Sequence, residues 1–274
     1  AGTIESIRRW SDIPLVIQLA HAGRKASTDV PWEGGEQFPP SHNHGWQTVA
    51  PSPTPFASGE HPPRALDRTA LKHIRESFAA SARRAARLGL DGVQIHVAHG
   101  YLLHEFLSPL SNRRDDEYGG RLEHRMRFPL EVFDAVRAAF RSDRPVTVRV
   151  SGTDWVEGGW DIEETMVFAK ALEARGCAAI HISSGGLDPR QQLLRRHLIA
   201  HRHQREAQIL GALSGAPWHI PALTARIYHD IPPPLLRAAE RGPFLAAANL
   251  GVLRKGKFDH EFSSSPAALK LAAI

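Results

Sequence analysis

The stretch IHVAHGYLLHEFLSPLSNRRDDEYGG, residues 95–120, decides how the rest of the sequence is interpreted. It begins inside a short apolar run at 93–96 and passes at once into a loop that carries His99 and Tyr101. A short apolar run before a polar loop is typical of a buried strand in a parallel sheet. Functional side chains of such sheets gather at the carboxyl ends of the strands. The stretch therefore predicts a strand that ends in a functional loop.

The same order of strand, loop and helix recurs on both sides of this stretch. Strands are predicted at 13–19, 93–96, 145–150 and 178–183, and helices from an N-cap at Thr69 to Gly89, at 123–141 and at 161–175. Regular alternation of strands and helices indicates an α/β fold with parallel βαβ units. Periodicity leaves two architectures open, a closed barrel and an open sheet.

Polar residues follow the strands, and three of them form a compact motif. His96 and His99 are separated by two residues at a strand end and could point two imidazole N–H groups at one oxygen, with the Tyr101 phenol as a possible proton donor. Two other interpretations stay open at this point. The histidines could satisfy backbone groups, or they could bind zinc, although no third ligand stands at a suitable spacing.

Three segments together resemble the Old Yellow Enzyme family, in particular its NADPH dehydrogenases and xenobiotic reductases. They are QLAHAGRKAS at 18–27, the stretch at 95–120, and PVTVRVSGTDWVEGGWD at 145–161. The resemblance covers about residues 10–190. It implies part of a TIM (β/α)₈ barrel, with about four units, the third to the sixth, recognisable.

The resemblance also implies an enzyme and its cofactors. FMN, reduced by NADPH or NADH, would pass hydride to the C=C bond of an α,β-unsaturated carbonyl compound. By motif, His96 and His99 would bind the substrate carbonyl oxygen and Tyr101 would protonate the α-carbon, so these three are the expected catalytic and substrate-binding residues. Gln18 and Arg149 match the residues that bind the flavin ring, where a cation stabilises the negative charge of the reduced form.

Charge divides the chain near residue 190. Residues 1–189 carry a net charge of −2 and residues 190–274 a net charge of +7. We therefore predict a partial FMN-binding barrel at 1–189 and an atypical basic tail at 190–274, with a helix at 191–213. The family's first two strands and its phosphate-binding glycine turn and arginine are not recognisable in the sequence. We hypothesise that the tail is out-of-frame or foreign sequence.

Composition limits the partners and the compartment. The single cysteine, Cys177, and the lack of a signal-like or bilayer-length apolar segment predict a soluble cytoplasmic protein without a membrane partner. The expected partner is a small-molecule enone rather than nucleic acid, and a homo-oligomer is one option for assembly. Two alternatives are a non-catalytic barrel fragment whose basic tail binds anions, and a metal-dependent hydrolase.

Other residues receive weaker expectations. The loop at 28–66 is long enough to be a functional excursion, and its Trp46 could border the pocket. Arg24 and Lys25 either face solvent or shape the cofactor mouth. Structural roles are expected for a further set, namely Arg114, Asp116 and Tyr118 as a loop anchor, and His104, His124, His181 and Cys177.

Overall fold

The computed structural model describes residues 2–191, and its elements alternate as the sequence predicts. The strands are β1 (Val16–Leu19), β2 (Val49–Ala50), β3 (Arg64–Ala65), β4 (Gly92–Val97), β5 (Val146–Ser151) and β6 (Ile180–Ser183). The helices are α1 (Gly2–Arg8), α2 (Arg68–Arg87), α3 (Leu102–Leu107), α4 (Leu122–Ala139) and α5 (Ile162–Glu173). Helix α3 was not predicted, because its six residues are too few to display a helical repeat within the loop.

The main sheet has four parallel strands in the order β1-β4-β5-β6. The four strands lie side by side in the order in which they occur along the chain. Within the described part of this sheet, the order of the strands therefore never reverses. A doubly wound open sheet has such a reversal, whereas a barrel adds its strands in chain order. The order therefore supports the partial barrel over the open sheet.

The register of the sheet sorts polar from apolar side chains. His96 lies beside Arg149, which lies beside His181, and Gln18 lies beside Gln94. Because side chains alternate between the faces of a strand, these residues share one face. The opposite face carries branched apolar residues that are at most 1% exposed: Val93, Ile95, Val97, Val146, Val148 and Val150. One face is thus core, and the other is available for chemistry.

The edge strand β1 differs from the prediction. We expected a buried strand at 13–19, but β1 has four residues, and Val16 and Ile17 are 48% and 39% exposed. β1 lies at the margin of the described sheet, beside β4 alone, which leaves its other side uncovered there. A strand with one neighbour has half the burial of a central strand, and the sequence of an edge strand does not reveal its position.

The cap of α2 also differs from the prediction. The Asp67 carboxylate, rather than Thr69, accepts the backbone N–H of Ala70 at 2.8 Å. At the start of α5, Asp161 does the same for the N–H of Glu164. Both caps satisfy donors that a helix leaves unpaired in its first turn.

The predicted excursion at 28–66 is a folded loop that is tied to the loop before α4. Arg114 donates to the backbone oxygens of Pro51 and Leu66 at 3.0 and 2.6 Å, and its guanidinium also pairs with Asp116. The structural role predicted for Arg114 is thereby confirmed. None of the helices in residues 2–191 combines the length and the apolar character that a bilayer crossing demands. The helix predicted at 191–213 and the tail beyond residue 191 lie outside the described residues.

Cys177 offers a test of this packing because it is the single cysteine of the chain. Burial raises the pKa of its thiol to about 12, and the thiolate is the reactive form. We expect the folded chain at pH 8 to resist a chromogenic disulfide reagent, and the urea-unfolded chain to react completely. Rapid reaction of the folded chain would contradict the burial of Cys177 in the segment between α5 and β6.

Candidate active site

The site is built around a left-handed turn at the end of β4. His99 and Gly100 have φ angles of 58° and 74°. A Cβ atom on Gly100 would lie 2.2 Å from the carbonyl oxygen of Gly186, and one on Gly186 would lie 2.7 Å from that of His99. Only glycines permit this approach, so the turn after β4 packs directly against the loop after β6.

Residues from the ends of three other strands hold His99 in place. Its N–H donates to the hydroxyl of Ser151 at 3.1 Å, at the end of β5. Its carbonyl accepts from Lys25 Nζ at 3.1 Å, and Lys25, which follows β1, also donates to Gly186 at 2.9 Å. His99 Nε2 lies 2.6 Å from the hydroxyl of Ser183, the last residue of β6. All four strands therefore contribute to the position of one imidazole.

The three motif residues form a cluster. The ring centroids of His96 and His99 are 5.1 Å apart, and the Tyr101 ring packs edge-on against His96 at 5.0 Å. His96 is 4% exposed, and its Nδ1 atom is buried without a hydrogen-bond partner. This does not favour the interpretation in which the histidines satisfy backbone groups.

Both imidazoles are neutral at physiological pH. Burial, followed by the charge of Arg149, lowers the pKa of His96 to about 4 and that of His99 to about 3. A neutral imidazole retains one N–H donor and carries no charge that would attract water or a counter-ion. The cluster can therefore offer two N–H groups and a phenol O–H to an uncharged carbonyl oxygen.

Gln18 and Arg149 flank this cluster on the polar face of the sheet. Gln18 Nε2 donates to Gln94 Oε1 at 2.7 Å, across the two neighbouring strands. Arg149 Nη2 contacts the Ser183 hydroxyl at 3.3 Å, while Nε is buried without a partner. An arginine with a buried N–H that has no partner suits an anionic or electron-rich group. Ser183 and its contacts were not predicted, since they depend on contacts between distant strands.

The structure also bears on the expectations for Arg24, for Trp46 and for a zinc site. Arg24 does not face solvent, because it is 3% exposed and its guanidinium donates to the carbonyls of Thr54, Pro55 and Leu187. Trp46 is 54% exposed, and its backbone N–H is held by Ser27. Within residues 2–191, no three His, Cys, Asp or Glu side chains lie close enough to bind a metal. The zinc interpretation has no support there.

Comparisons with known proteins give these features a context. The family model described as NADH:flavin oxidoreductase / NADH oxidase family matches residues 9–211. An NADH:flavin oxidoreductase of Gibberella zeae is 41% identical over 211 residues, which are 70% of this chain and 51% of that protein. An NADPH dehydrogenase of Listeria innocua is 42% identical over 171 residues, 62% of this chain and 45% of that protein. The chain thus spans about half the length of these relatives.

Solved structures agree. Morphinone reductase is 33% identical with a TM-score of 0.53, over 66% of this chain and 50% of that one. The old yellow enzyme homologue from Zymomonas mobilis is 30% identical with a TM-score of 0.53, over 68% of this chain and 51% of that one. The expected fold class, a partial TIM barrel, is confirmed, and the names of the relatives agree with the expected oxidoreductase class and its flavin and nicotinamide cofactors.

The neutral state of the imidazoles can be tested by NMR. We expect neither His96 nor His99 to titrate between pH 8 and 5, with midpoints near pH 4 and 3. Because the unfolded chain takes up these protons first, the folded state should lose stability as the pH falls from about 6.5 toward 4. Arg149→Met should raise both midpoints, whereas Arg149→Lys, which keeps the charge, should not. A midpoint above pH 6 in the unaltered chain would contradict the burial described above.

Proposed function

The chain belongs to the NADH:flavin oxidoreductase / NADH oxidase family, and we propose that it is an FMN-dependent ene-reductase. An old yellow enzyme homologue is among the solved structures that it resembles. Hydride would pass from NADPH or NADH, through the flavin, to the β-carbon of an α,β-unsaturated carbonyl compound. A proton would be added at the α-carbon. The net reaction saturates one C=C bond and oxidises one nicotinamide.

The neutral pair of imidazoles is the observation that carries the proposal. As hydride reaches the β-carbon, negative charge develops on the carbonyl oxygen of the substrate. Two fixed N–H donors stabilise that charge without first having to reorient, which is the principle of an oxyanion hole. His96 Nδ1, buried and unpartnered, and His99, held by contacts from all four strands, suit this role.

Tyr101 is the proposed proton donor. Its ring stands edge-on to His96 at 5.0 Å, so a carbonyl compound bound to the histidines would lie near the phenol. The O–H group of a phenol can donate a proton to an enolate-like carbon. The proposal thus separates binding of the oxygen by the histidines from proton transfer by the tyrosine.

The residues present fit the ring system of FMN. Bound FMN supplies a hydride acceptor and donor, which no side chain provides. Arg149, with its buried and unused Nε, would hold the electron-rich edge of the ring, and the Gln18 amide would hydrogen-bond it. Gln18 would exchange its contact with Gln94 for this one. The glycine turn and arginine that the resemblance implies for the phosphate are not recognisable in the sequence.

The test begins with the purified chain and added FMN. We expect binding to quench the fluorescence of the flavin. NADPH should then reduce and bleach the flavin, and cyclohex-2-enone should reoxidise it and restore its colour (recolouring). Tyr101→Phe should leave bleaching intact and slow recolouring by about 10²- to 10⁴-fold, the usual contribution of a positioned acid. Tyr118→Phe is the matched control, because Tyr118 contacts Glu131 and should not affect either step.

Three results would count against the proposal. Absence of flavin uptake would exclude it for this chain, and salt-sensitive DNA binding in its place would favour the anion-binding alternative. Bleaching without recolouring would leave a flavin reductase that does not act on enones. Equal effects of Tyr101→Phe and Tyr118→Phe would remove Tyr101 from the chemistry.

A further inference from the structure

A second polar cluster contacts the turn through the backbone N–H of Gly100. It consists of His104 on α3, Asp154 in the loop after β5, and Ser108, all of which are 0% exposed, together with Trp160, which is 1% exposed. The proposed reaction does not use any of these residues. Burial of a carboxylate and an imidazole is costly unless both are paired, so their presence calls for a physical reason.

The hydrogen bonds of His104 determine which nitrogen carries its proton. The backbone N–H of Gly100 donates to His104 Nδ1 at 3.0 Å. Because Nδ1 accepts, the proton of the neutral ring lies on Nε2. Nε2 lies 2.9 Å from Asp154 Oδ1, a close contact that is not aligned as a hydrogen bond, so the ring stands between a carboxylate and the backbone amide that donates to its Nδ1.

Asp154 is held as firmly as His104. Its second oxygen accepts the hydroxyl of Ser108 at 2.6 Å and the N–H of Trp160 at 2.8 Å. Its own N–H donates to the carbonyl of Trp160 at 2.9 Å. Gly159 packs so tightly that a Cβ atom there would lie 2.8 Å from Asp154 Oδ2. The carboxylate therefore has little freedom to move, and it lies in a fixed position against the ring of His104.

The contacts of Asp154 and His104 lead to Gly100, which lies between His99 and Tyr101 in the sequence. Gly100 has a positive φ and belongs to no strand or helix, so the backbone offers its buried N–H no regular partner. His104 supplies that partner. The residues on either side of Gly100 are His99 and Tyr101, whose side chains take their directions from this turn.

We propose that His104 and Asp154 are positioning residues, which lock the His99–Tyr101 turn and so aim the His99 imidazole and the Tyr101 phenol at one ligand oxygen. The inference rests on the proposed function for its chemical meaning. The lock itself is a property of the described residues and can be measured without cofactor.

Two variants of His104 separate its two contacts. In His104→Asn, the amide oxygen can stand where Nδ1 stands, which keeps the acceptor for Gly100 and loses the reach to Asp154. In His104→Gln, the amide nitrogen can stand where Nε2 stands, which keeps the contact with Asp154 and loses the acceptor for Gly100. Ser111→Ala is the control, because Ser111 is a buried hydroxyl bonded to the carbonyl of Glu105, outside the turn.

The first readout is amide hydrogen exchange of the segment 99–103 in the chain without added FMN. We expect His104→Gln to speed exchange at Gly100 by about tenfold, the effect of losing one hydrogen bond, and Ser111→Ala to leave it unchanged. His104→Asn should lie between them. If His104→Gln does not fold, Asp154→Asn takes its place and should also speed exchange. Exchange in the Gln variant, or in Asp154→Asn, that equals the control would overturn the proposal.

The second readout compares the two half-reactions of the FMN-loaded chain, which are reduction of the flavin by NADPH (bleaching) and its reoxidation by the enone (recolouring). His104→Gln should raise the KM for cyclohex-2-enone and slow recolouring, with bleaching by NADPH unchanged, and His104→Asn should restore much of the loss. Uniform loss of both steps would reveal a purely structural role and would overturn the proposal. If the unaltered chain does not reduce the enone, the proposed function fails, and the exchange experiment still decides whether the lock exists.

Discussion

The left-handed turn at His99 and Gly100 is the constraint on which the rest of the site depends. One hydrogen bond closes the turn, from the Tyr101 N–H to the Ala98 carbonyl, and the N–H groups of His99 and Gly100 take partners elsewhere in the chain. Ser151 and Lys25 bind its first residue, and His104 binds its second. With the contact of the Ser183 hydroxyl to the His99 ring, residues at or after the carboxyl ends of all four strands contribute to the geometry of this one turn.

Burial serves the chemistry as well as the fold. The desolvation that holds the His96 and His99 pKa values low also leaves Arg149 with an unused N–H, because water cannot satisfy it. Burial is the main reason that the imidazoles stay neutral, and the charge of Arg149 lowers their pKa values further. The arginine thus has two effects, one on its neighbours and one on any electron-rich ring placed beside it.

The sequence predicted the parts of the structure that have a local cause. Strands β4 and β5 and helix α4 have strong patterns and were located within a few residues, and the histidine pair was found because both members follow one strand. Helix α3 was missed because it is short, and the exposure of β1 was missed because it depends on neighbours. The roles of Lys25 and Ser183 depend on contacts across the sheet, and no spacing along the chain encodes them.

The register of the sheet has a further consequence for how such a chain can change. Insertion of a single residue within β5 would reverse the alternation beyond it, turning Arg149 toward the helices and a valine toward the histidines. The excursion at 28–66 contains only the two-residue strands β2 and β3, and side chains and backbone at Arg24, Arg113 and Arg114 anchor it. We therefore expect a change of length to be tolerated better in this excursion than within the four strands of the main sheet.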